Sequence, residues 1–188
     1  LEPDEDLLKV ENLTYKDLFD VMKLDGVSFT VRNKEIVGIA GVEGNGQSEL
    51  IRIITANLRA RSGQVLFKNE DITKASIAHV RKLGMSYVPE DRLYNGCAAI
   101  MSVQENMVVS NIDSFAKKSK LIDFKKVREH CQALIREYNV KTKDENQPIK
   151  SLSGGNIQKA IVAREFCAGS DPVSYTHLRA HETDSYLV

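Results

Sequence analysis

Gly41-Val-Glu-Gly-Asn-Gly-Gln-Ser48 is a glycine-rich segment between an apolar run, residues 36–40, and an amphipathic stretch, residues 49–54. The apolar run predicts a strand that is buried on both faces, and the amphipathic stretch predicts a helix. Glycines let the backbone curl so that successive N–H groups point at an anion, and the helix dipole adds positive potential there. The segment therefore predicts a phosphate-binding loop in an α/β fold.

The loop departs from the usual phosphate-loop pattern at Gln47, where a lysine is expected. The next residue, Ser48, provides the hydroxyl that helps to hold Mg²⁺ in such loops. A charge-assisted contact with phosphate contributes about 1.5–3 kcal/mol, and a neutral amide recovers only part of it. A dinucleotide-binding fingerprint fits less well, because Glu49 replaces its last small residue. Taken alone, the segment also fits a glycine-rich turn that joins a strand to a helix.

The flanking patterns divide the chain into a sheet-rich part and a helical part. Alternating apolar residues predict strands over residues 7–13, 26–31, 64–68 and 85–88. Helical periodicity covers residues 75–83, 103–112 and 124–138. Asp123 is a plausible N-cap of the last of these helices. A mixed sheet followed by a helical segment, about residues 97–150, predicts an α/β core with a helical insertion.

A second motif, Leu152-Ser-Gly-Gly-Asn156, lies beyond the helical segment and precedes a predicted helix over residues 157–166. A hydroxyl and two glycines at a helix N-terminus form another anion cradle. An isolated Ser-Gly-Gly is more often a capped turn. Its position behind a phosphate loop and a helical insertion favours the functional interpretation.

The two motifs together resemble the ABC ATPase family, with residues 41–48 as the Walker A loop and residues 152–156 as the signature. The resemblance covers nearly all of residues 7–171. It implies a P-loop NTPase core with an antiparallel β subdomain and a helical subdomain, and ATP and Mg²⁺ as cofactors. It also implies a head-to-tail dimer, in which each ATP lies between the Walker A loop of one domain and the signature of the other.

The site residues that the resemblance implies fall into three sets. The nucleotide-binding set is Gly41, Glu43, Gly44, Asn45, Gly46, Gln47, Ser48, Glu49, Glu90 and Tyr15. The signature set is Leu152, Ser153, Gly154, Gly155 and Asn156. The Mg²⁺ set is Ser48 and Glu90.

Some positions depart from the family pattern. Glu90 stands where the family has a glutamine that contacts the metal, and Asn156 replaces the usual last glutamine of the signature. Tyr15 is the candidate for stacking on adenine, and Phe19 is the alternative. The Walker B acidic residues and the switch histidine are expected beyond Asp171. The resemblance therefore implies a core truncated before Walker B, with no catalytic residue inside the chain.

Residues 41–50, 87–92 and 152–159 resemble the second domain of tandem carbohydrate and nucleoside importer ATPases, with the nucleoside branch nearest. This implies three partners: another ABC domain upstream in the same chain, transmembrane permease subunits and, indirectly, a solute-binding protein. The location implied is the cytoplasmic face of the cell membrane. Two alternatives stay open: a non-catalytic nucleotide-binding or dimerisation module, and a soluble ABC ATPase without a membrane partner.

Composition excludes other classes of protein. Lys+Arg and Asp+Glu are both 26, so no overall positive field attracts nucleic acid, and no nucleic-acid partner is expected. The three cysteines are widely spaced, which is typical of reduced thiols and not of a disulfide framework or a zinc site. The apolar runs are too short to span a bilayer.

The last residues do not follow the pattern of the rest. Residues 172–188 resemble the translation of a transposon-based sequencing-library adapter in one reading frame. The native ABC domain is therefore expected within residues 1–171, incomplete at both ends. Under this interpretation His177 and His181, whose i, i+4 spacing imitates a zinc site on a helix, have no evolved function.

Overall fold

A computed structural model describes residues 5–42, 44–117 and 119–167, together with the backbone of residues 171–179 and 182–187. The chain divides into two compact units. The first comprises residues 1–87 and 171–188, and the second comprises residues 88–170.

The first unit is built mainly from strands, and its strand Met85–Val88 extends one residue into the second unit. Its elements are β1 (Asp6–Lys16), β2 (Met22–Arg32), β3 (Val37–Ala40), α1 (Gln47–Ile54), β4 (Ser62–Phe67), β5 (Glu70–Asp71), α2 (Ile77–Lys82), β6 (Met85–Val88), β7 (Asp171–Arg179) and β8 (Glu182–Leu187).

The antiparallel sheet has the strand order β2-β1-β4-β5. Alternation along β1 turns Leu8 and Val10 into the core, where both are at most 1% exposed. Phe67 of β4 and Ile54 of α1 are 0% exposed and belong to the same apolar cluster. The predicted antiparallel β subdomain is therefore present, and α1 shares its core.

The second sheet has the strand order β3-β8-β7-β6. The expectation that β3 is buried on both faces is wrong, because its residues alternate between partly buried and exposed. Ile36, just before β3, is 68% exposed. An apolar run indicates that both faces of a strand can be buried. Whether they are buried depends on which other elements pack against the sheet, and a local sequence pattern does not specify this.

The tail is placed in the second sheet as a pair of antiparallel strands. β8 pairs with β3 from Val37↔Leu187 to Ala40↔Asp184, and β7 pairs with β8. His177 lies in β7, so the helical spacing of a zinc site does not apply to it. His181 lies outside the described residues.

The second unit is helical, as predicted. It contains α3 (Val103–Val108), α4 (Phe124–Glu137) and α5 (Gly154–Cys167), with 3₁₀ turns at Val109–Phe115 and Ile149–Ser151. The predicted cap of α4 is confirmed, because the Asp123 side chain accepts a hydrogen bond from the Lys126 amide. Among the described helices of both units, none is long and apolar enough to cross a membrane.

The helix predicted over residues 103–112 is shorter than expected. The α-helix α3 stops at Val108, and Asn111 has φ −136°, outside the helical range. Short polar side chains in this stretch compete for backbone groups, and the Ser114 hydroxyl donates to the Asn111 carbonyl at 2.7 Å. The prediction failed because amphipathic spacing does not register this local competition.

Candidate nucleotide-binding site

The backbone of the Walker A loop turns through Gly46, the N-cap of α1. Gly46 has φ +97°, and no side chain caps the helix. A Cβ at this position would lie 2.2 Å from the Lys23 carbonyl oxygen and 3.0 Å from a methyl carbon of Leu24. Glycine is therefore required both by the left-handed backbone and by the close approach of β2.

Gln47 begins α1, two residues earlier than the sequence pattern indicates. Its side-chain amide donates to the Val42 carbonyl at 3.4 Å, and the Asn45 N–H donates to the same oxygen at 3.2 Å. A Cβ at Gly41 would lie 2.0 Å from the Gln47 amide nitrogen, so the amide packs directly against Gly41. The position of the usual lysine thus holds a neutral group folded back onto the loop.

A lysine from another element reaches the same loop. Lys23 of β2 donates from Nζ to the Gly44 carbonyl at 3.3 Å, and its Nζ lies 3.9 Å from Asp17 Oδ2. Its side chain is 24% exposed. No sequence motif marks Lys23, because a lysine in an ordinary strand carries none.

The two candidates for the adenine-stacking residue lie on the β1–β2 hairpin. Tyr15 is partly buried against the core of the first unit, and it pairs with Leu24, the neighbour of Lys23. Phe19 is 86% exposed in the connecting turn, where its N–H donates to the Asp17 carboxylate. Tyr15 therefore pairs with the residue whose side chain approaches Gly46, and its stacking role stays a prediction.

The other predicted residues are placed as follows. Ser48 is exposed in the first turn of α1, and Glu49 beside it is half-buried. Glu90 is exposed in the second unit. Glu43 lies outside the described residues. The Mg²⁺ role of Ser48 and Glu90 stays a prediction.

The signature loop is organised by hydrogen bonds around Asn156. The Asn156 amide group donates from Nδ2 to Ser153 Oγ at 2.9 Å, and its Oδ1 accepts from the Lys141 N–H at 2.9 Å. The N–H groups of Asn156 and Ile157 donate to the Ser153 carbonyl. Leu152 is 9% exposed, which anchors the start of the loop, whereas the Ser153 side chain is exposed.

The two signature glycines differ in their surroundings. A Cβ at Gly154 would lie 2.7 Å from an Nη atom of Arg92, so that guanidinium group packs against the backbone of the loop. A Cβ at Gly155 would meet nothing within 4 Å. The fold of this unit thus explains the lack of a side chain at Gly154 but not at Gly155. Both glycines lie inside α5, which begins at Gly154 and not, as predicted, at residue 157.

The thiols add no chemistry to either loop. Cys97, Cys131 and Cys167 are free, and burial raises the pKa of all three, that of Cys131 to about 12. Each stays protonated at neutral pH and is therefore a poor nucleophile. Within the described ranges, no group of three or more His, Cys, Asp or Glu side chains is arranged to hold a metal ion.

Comparison with known proteins identifies the family to which both loops belong. The family model described as ABC transporter matches residues 24–172. The chain belongs to the ABC transporter family. The predicted family is thereby confirmed, and the match includes both the Walker A loop and the signature loop.

The relatives of this ABC cassette are sugar and nucleoside import proteins, as the sequence motifs indicated. It is 36% identical over 171 residues to the nucleoside import ATP-binding protein NupA of Lactococcus lactis subsp. cremoris. The aligned region covers 90% of this chain and 34% of that protein. It is 38% identical over 157 residues to the ribose import ATP-binding protein RbsA of Clostridium perfringens, which covers 84% of this chain and 30% of that protein. The chain thus spans about a third of the length of these relatives.

The fold is that of a solved ATP-binding cassette. The dimeric structure of the cassette MJ0796 bound to ADP and Pi superposes with a TM-score of 0.72 at 20% identity, covering 87% of this chain and 70% of that chain. The predicted fold class, an ABC-type α/β core with an antiparallel β subdomain and a helical subdomain, is confirmed.

Proposed function

We propose that this ABC cassette binds ATP with residues 41–48 and lends its signature loop, residues 152–156, to the ATP site of a second ABC domain. The observation that carries this proposal is the contrast within the signature loop. Asn156 holds the loop in place, while Ser153 and Gly155 face solvent and the absent side chain of Gly155 clears space that nothing in this unit fills. An exposed, hydrogen-bonded loop of small residues at a helix N-terminus fits a phosphate group brought by a partner.

The Walker A loop fits the phosphates of ATP. Gly44 has φ +85° with open space around it, and Gly46 leads directly into the first turn of α1, where the helix dipole favours an anion. Bound Mg²⁺ would neutralise charge on the phosphates, and we expect the Ser48 hydroxyl to help hold it. Gln47 adds no charge, so its loop stabilises a transition state poorly and forms the weaker of two composite sites.

The whole protein is proposed to be an importer ATPase. Its relatives carry the names of nucleoside and ribose import ATP-binding proteins, and this chain spans about a third of their length. We infer that a second ABC domain with a Lys-bearing loop lies upstream in the same chain. The assembly would couple ATP binding and hydrolysis to uptake of a simple sugar or nucleoside at the cytoplasmic face of the membrane. Permease subunits and a solute-binding protein complete it.

A second candidate follows from Gln47. A loop without the lysine favours a module that binds nucleotide and closes the dimer but does not turn over at its own site. The two proposals agree on this half of the protein and differ on whether the signature loop supports hydrolysis at the other site.

Residues 172–188 are proposed to be translated adapter. The family match ends at residue 172, where the resemblance to the adapter begins. Sequencing the gene from unfragmented DNA tests this: native codons that continue the family pattern after Asp171 are expected. Codons for residues 173–188 in the intact gene would refute it.

The decisive experiment compares Ser153→Arg with Ser114→Arg in the full-length protein. Both replace an exposed serine of the second unit, but Ser114 lies outside both loops. We expect Ser153→Arg to lower ATPase activity at least about tenfold, because the bulky cation blocks the phosphate of the partner site. Normal ATPase activity in Ser153→Arg would refute the proposed role of the signature loop.

A further inference from the structure

We propose that Lys23, from β2, supplies the positive charge that the Walker A loop lacks at Gln47, and that its ammonium group binds a phosphate of the nucleotide. This inference rests on the proposed binding of ATP by residues 41–48. It assigns to a strand residue outside every motif a role in recognising the di- and triphosphate part of the ligand.

The position of Lys23 relative to the loop is set by backbone packing. A Cβ added to Gly46 would lie only 2.2 Å from the carbonyl oxygen of Lys23, so the strand and the loop are in direct contact. The next residue, Leu24, is 4% exposed and anchors β2 in the core. Lys23 therefore starts from a fixed point beside the N-terminus of α1.

The ammonium group already touches the loop. Nζ donates to the Gly44 carbonyl at 3.3 Å, and a lysine ammonium has three N–H donors, so further donors are available for a phosphate oxygen. The Lys23 stem is flexible and its head is a compact point charge, a form of cation that proteins use to bind phosphate.

The neighbouring charge does not neutralise Lys23 completely. Asp17 Oδ2 is 3.9 Å from Nζ, at the limit of an ion pair, while Asp17 Oδ1 accepts hydrogen bonds from the N–H groups of Phe19 and Val21. The carboxylate is thus held by its own turn and orients the lysine without closing over it. Partial burial of the Lys23 side chain, 24% exposed, strengthens its attraction to an incoming phosphate because less water screens it.

The Gln47 side chain does not supply a positive charge for the phosphate. Its amide folds back to the Val42 carbonyl and packs against Gly41, so it brings no charge to the loop. A lysine at residue 47 and a lysine at residue 23 are then alternative sources of one phosphate contact, which makes rescue between the two positions a direct test.

The test uses the full-length protein, photolabelled with 8-azido-ATP, 8-azido-ADP or 8-azido-AMP, with the labelled peptides mapped to this domain. The variants are Lys23→Gln, Lys23→Gln with Gln47→Lys, and Lys9→Gln as control. Lys9 is a lysine of β1 whose Nζ pairs with Glu11 at 2.7 Å. Lys23→Met, which keeps the apolar stem, replaces Lys23→Gln if the latter lowers the unfolding temperature.

We expect Lys23→Gln to weaken 8-azido-ATP and 8-azido-ADP binding in this domain about tenfold or more. Binding of 8-azido-AMP, which lacks the outer phosphates, should change much less. Gln47→Lys should restore the lost affinity, and Lys9→Gln should match the wild type. If Lys23 had only a structural role, Lys23→Gln would weaken the binding of all three probes equally.

Each outcome has a distinct meaning. This inference alone is overturned if 8-azido-ATP labels this domain equally in the wild type and in Lys23→Gln. It is also overturned if Lys23→Gln weakens the binding of all three probes by the same factor. Absence of labelling in the wild-type domain overturns the proposed nucleotide binding by residues 41–48, and this inference with it.

Discussion

The Walker A loop and the signature loop both lead into a helix, yet they are held in different ways. At the Walker A loop, Gly46 adopts φ +97° against the Lys23 carbonyl, and no side chain caps α1. At the signature loop, Asn156 ties Ser153 to the Lys141 N–H through its side chain. The first shape depends on backbone packing that excludes a Cβ, and the second depends on hydrogen bonds. The difference teaches that similar glycine-rich motifs differ in what they tolerate.

The largest effect is expected for Gly46→Ala. A Cβ would lie 2.2 Å from a backbone oxygen, which is not free to move like a side-chain tip, and the residue would also keep a left-handed φ. We expect a loss of at least about 2 kcal/mol in the free energy of unfolding, from the left-handed cost and the overlap together. Urea unfolding of the full-length protein measures it.

Gly44→Ala is the matched control, because Gly44 has φ +85° but nothing lies within 4 Å of its Cβ position. It isolates the backbone cost, about 1–2 kcal/mol. Equal losses for the two variants would show that contact with β2 does not shape the loop.

A smaller loss is expected for Asn156→Ala. It removes the hydrogen bonds to Ser153 Oγ and from the Lys141 N–H, and each contributes about 0.5–1.5 kcal/mol. Thermal unfolding measures the loss, and Asn156→Asp, which keeps an acceptor for Lys141, should recover part of it. If Asn156→Ala unfolds like the wild type, the signature loop is held by other contacts.

Gly154→Ala should lower the free energy of unfolding by less than Asn156→Ala does, by below about 1 kcal/mol. Its Cβ meets the end of the Arg92 side chain, which moves aside more easily than a backbone atom. In the Arg92→Ala background the cost of Gly154→Ala should vanish, because the overlap is gone. A double-mutant cycle measures this coupling, and a zero coupling would show that the two groups do not touch.

The smallest effect on stability is expected for Gly155→Ala. Its Cβ meets nothing within 4 Å, and alanine favours the helix. The free energy of unfolding should therefore be unchanged or rise by up to about 1 kcal/mol. ATPase activity of the full-length protein should nevertheless fall, because the added methyl group occupies space proposed for a partner's nucleotide. A loss of stability would place Gly155 in the same class as Gly154.

Much of the fold and both loops could be predicted from local sequence. The spacing of glycines between an apolar run and an amphipathic stretch indicated the Walker A loop, and the Asp123 cap of α4 was correct. Two expectations failed for reasons that apolar spacing does not record. The end of α3 at Val108 and the partial exposure of β3 depend on competing hydrogen bonds and on cover from other elements.

The sequence by itself determined the α/β class and the order of the motifs, because these follow from residue types at short spacing, and the resemblance of the motifs to the ABC ATPases indicated the family. Only the tertiary structure decided which side chains support the loops. Lys23 reaches Gly44 across 21 positions in sequence, and Arg92 packs against Gly154 from a different loop. Such contacts depend on how distant elements pack, and no periodicity along the chain records which distant residues will meet.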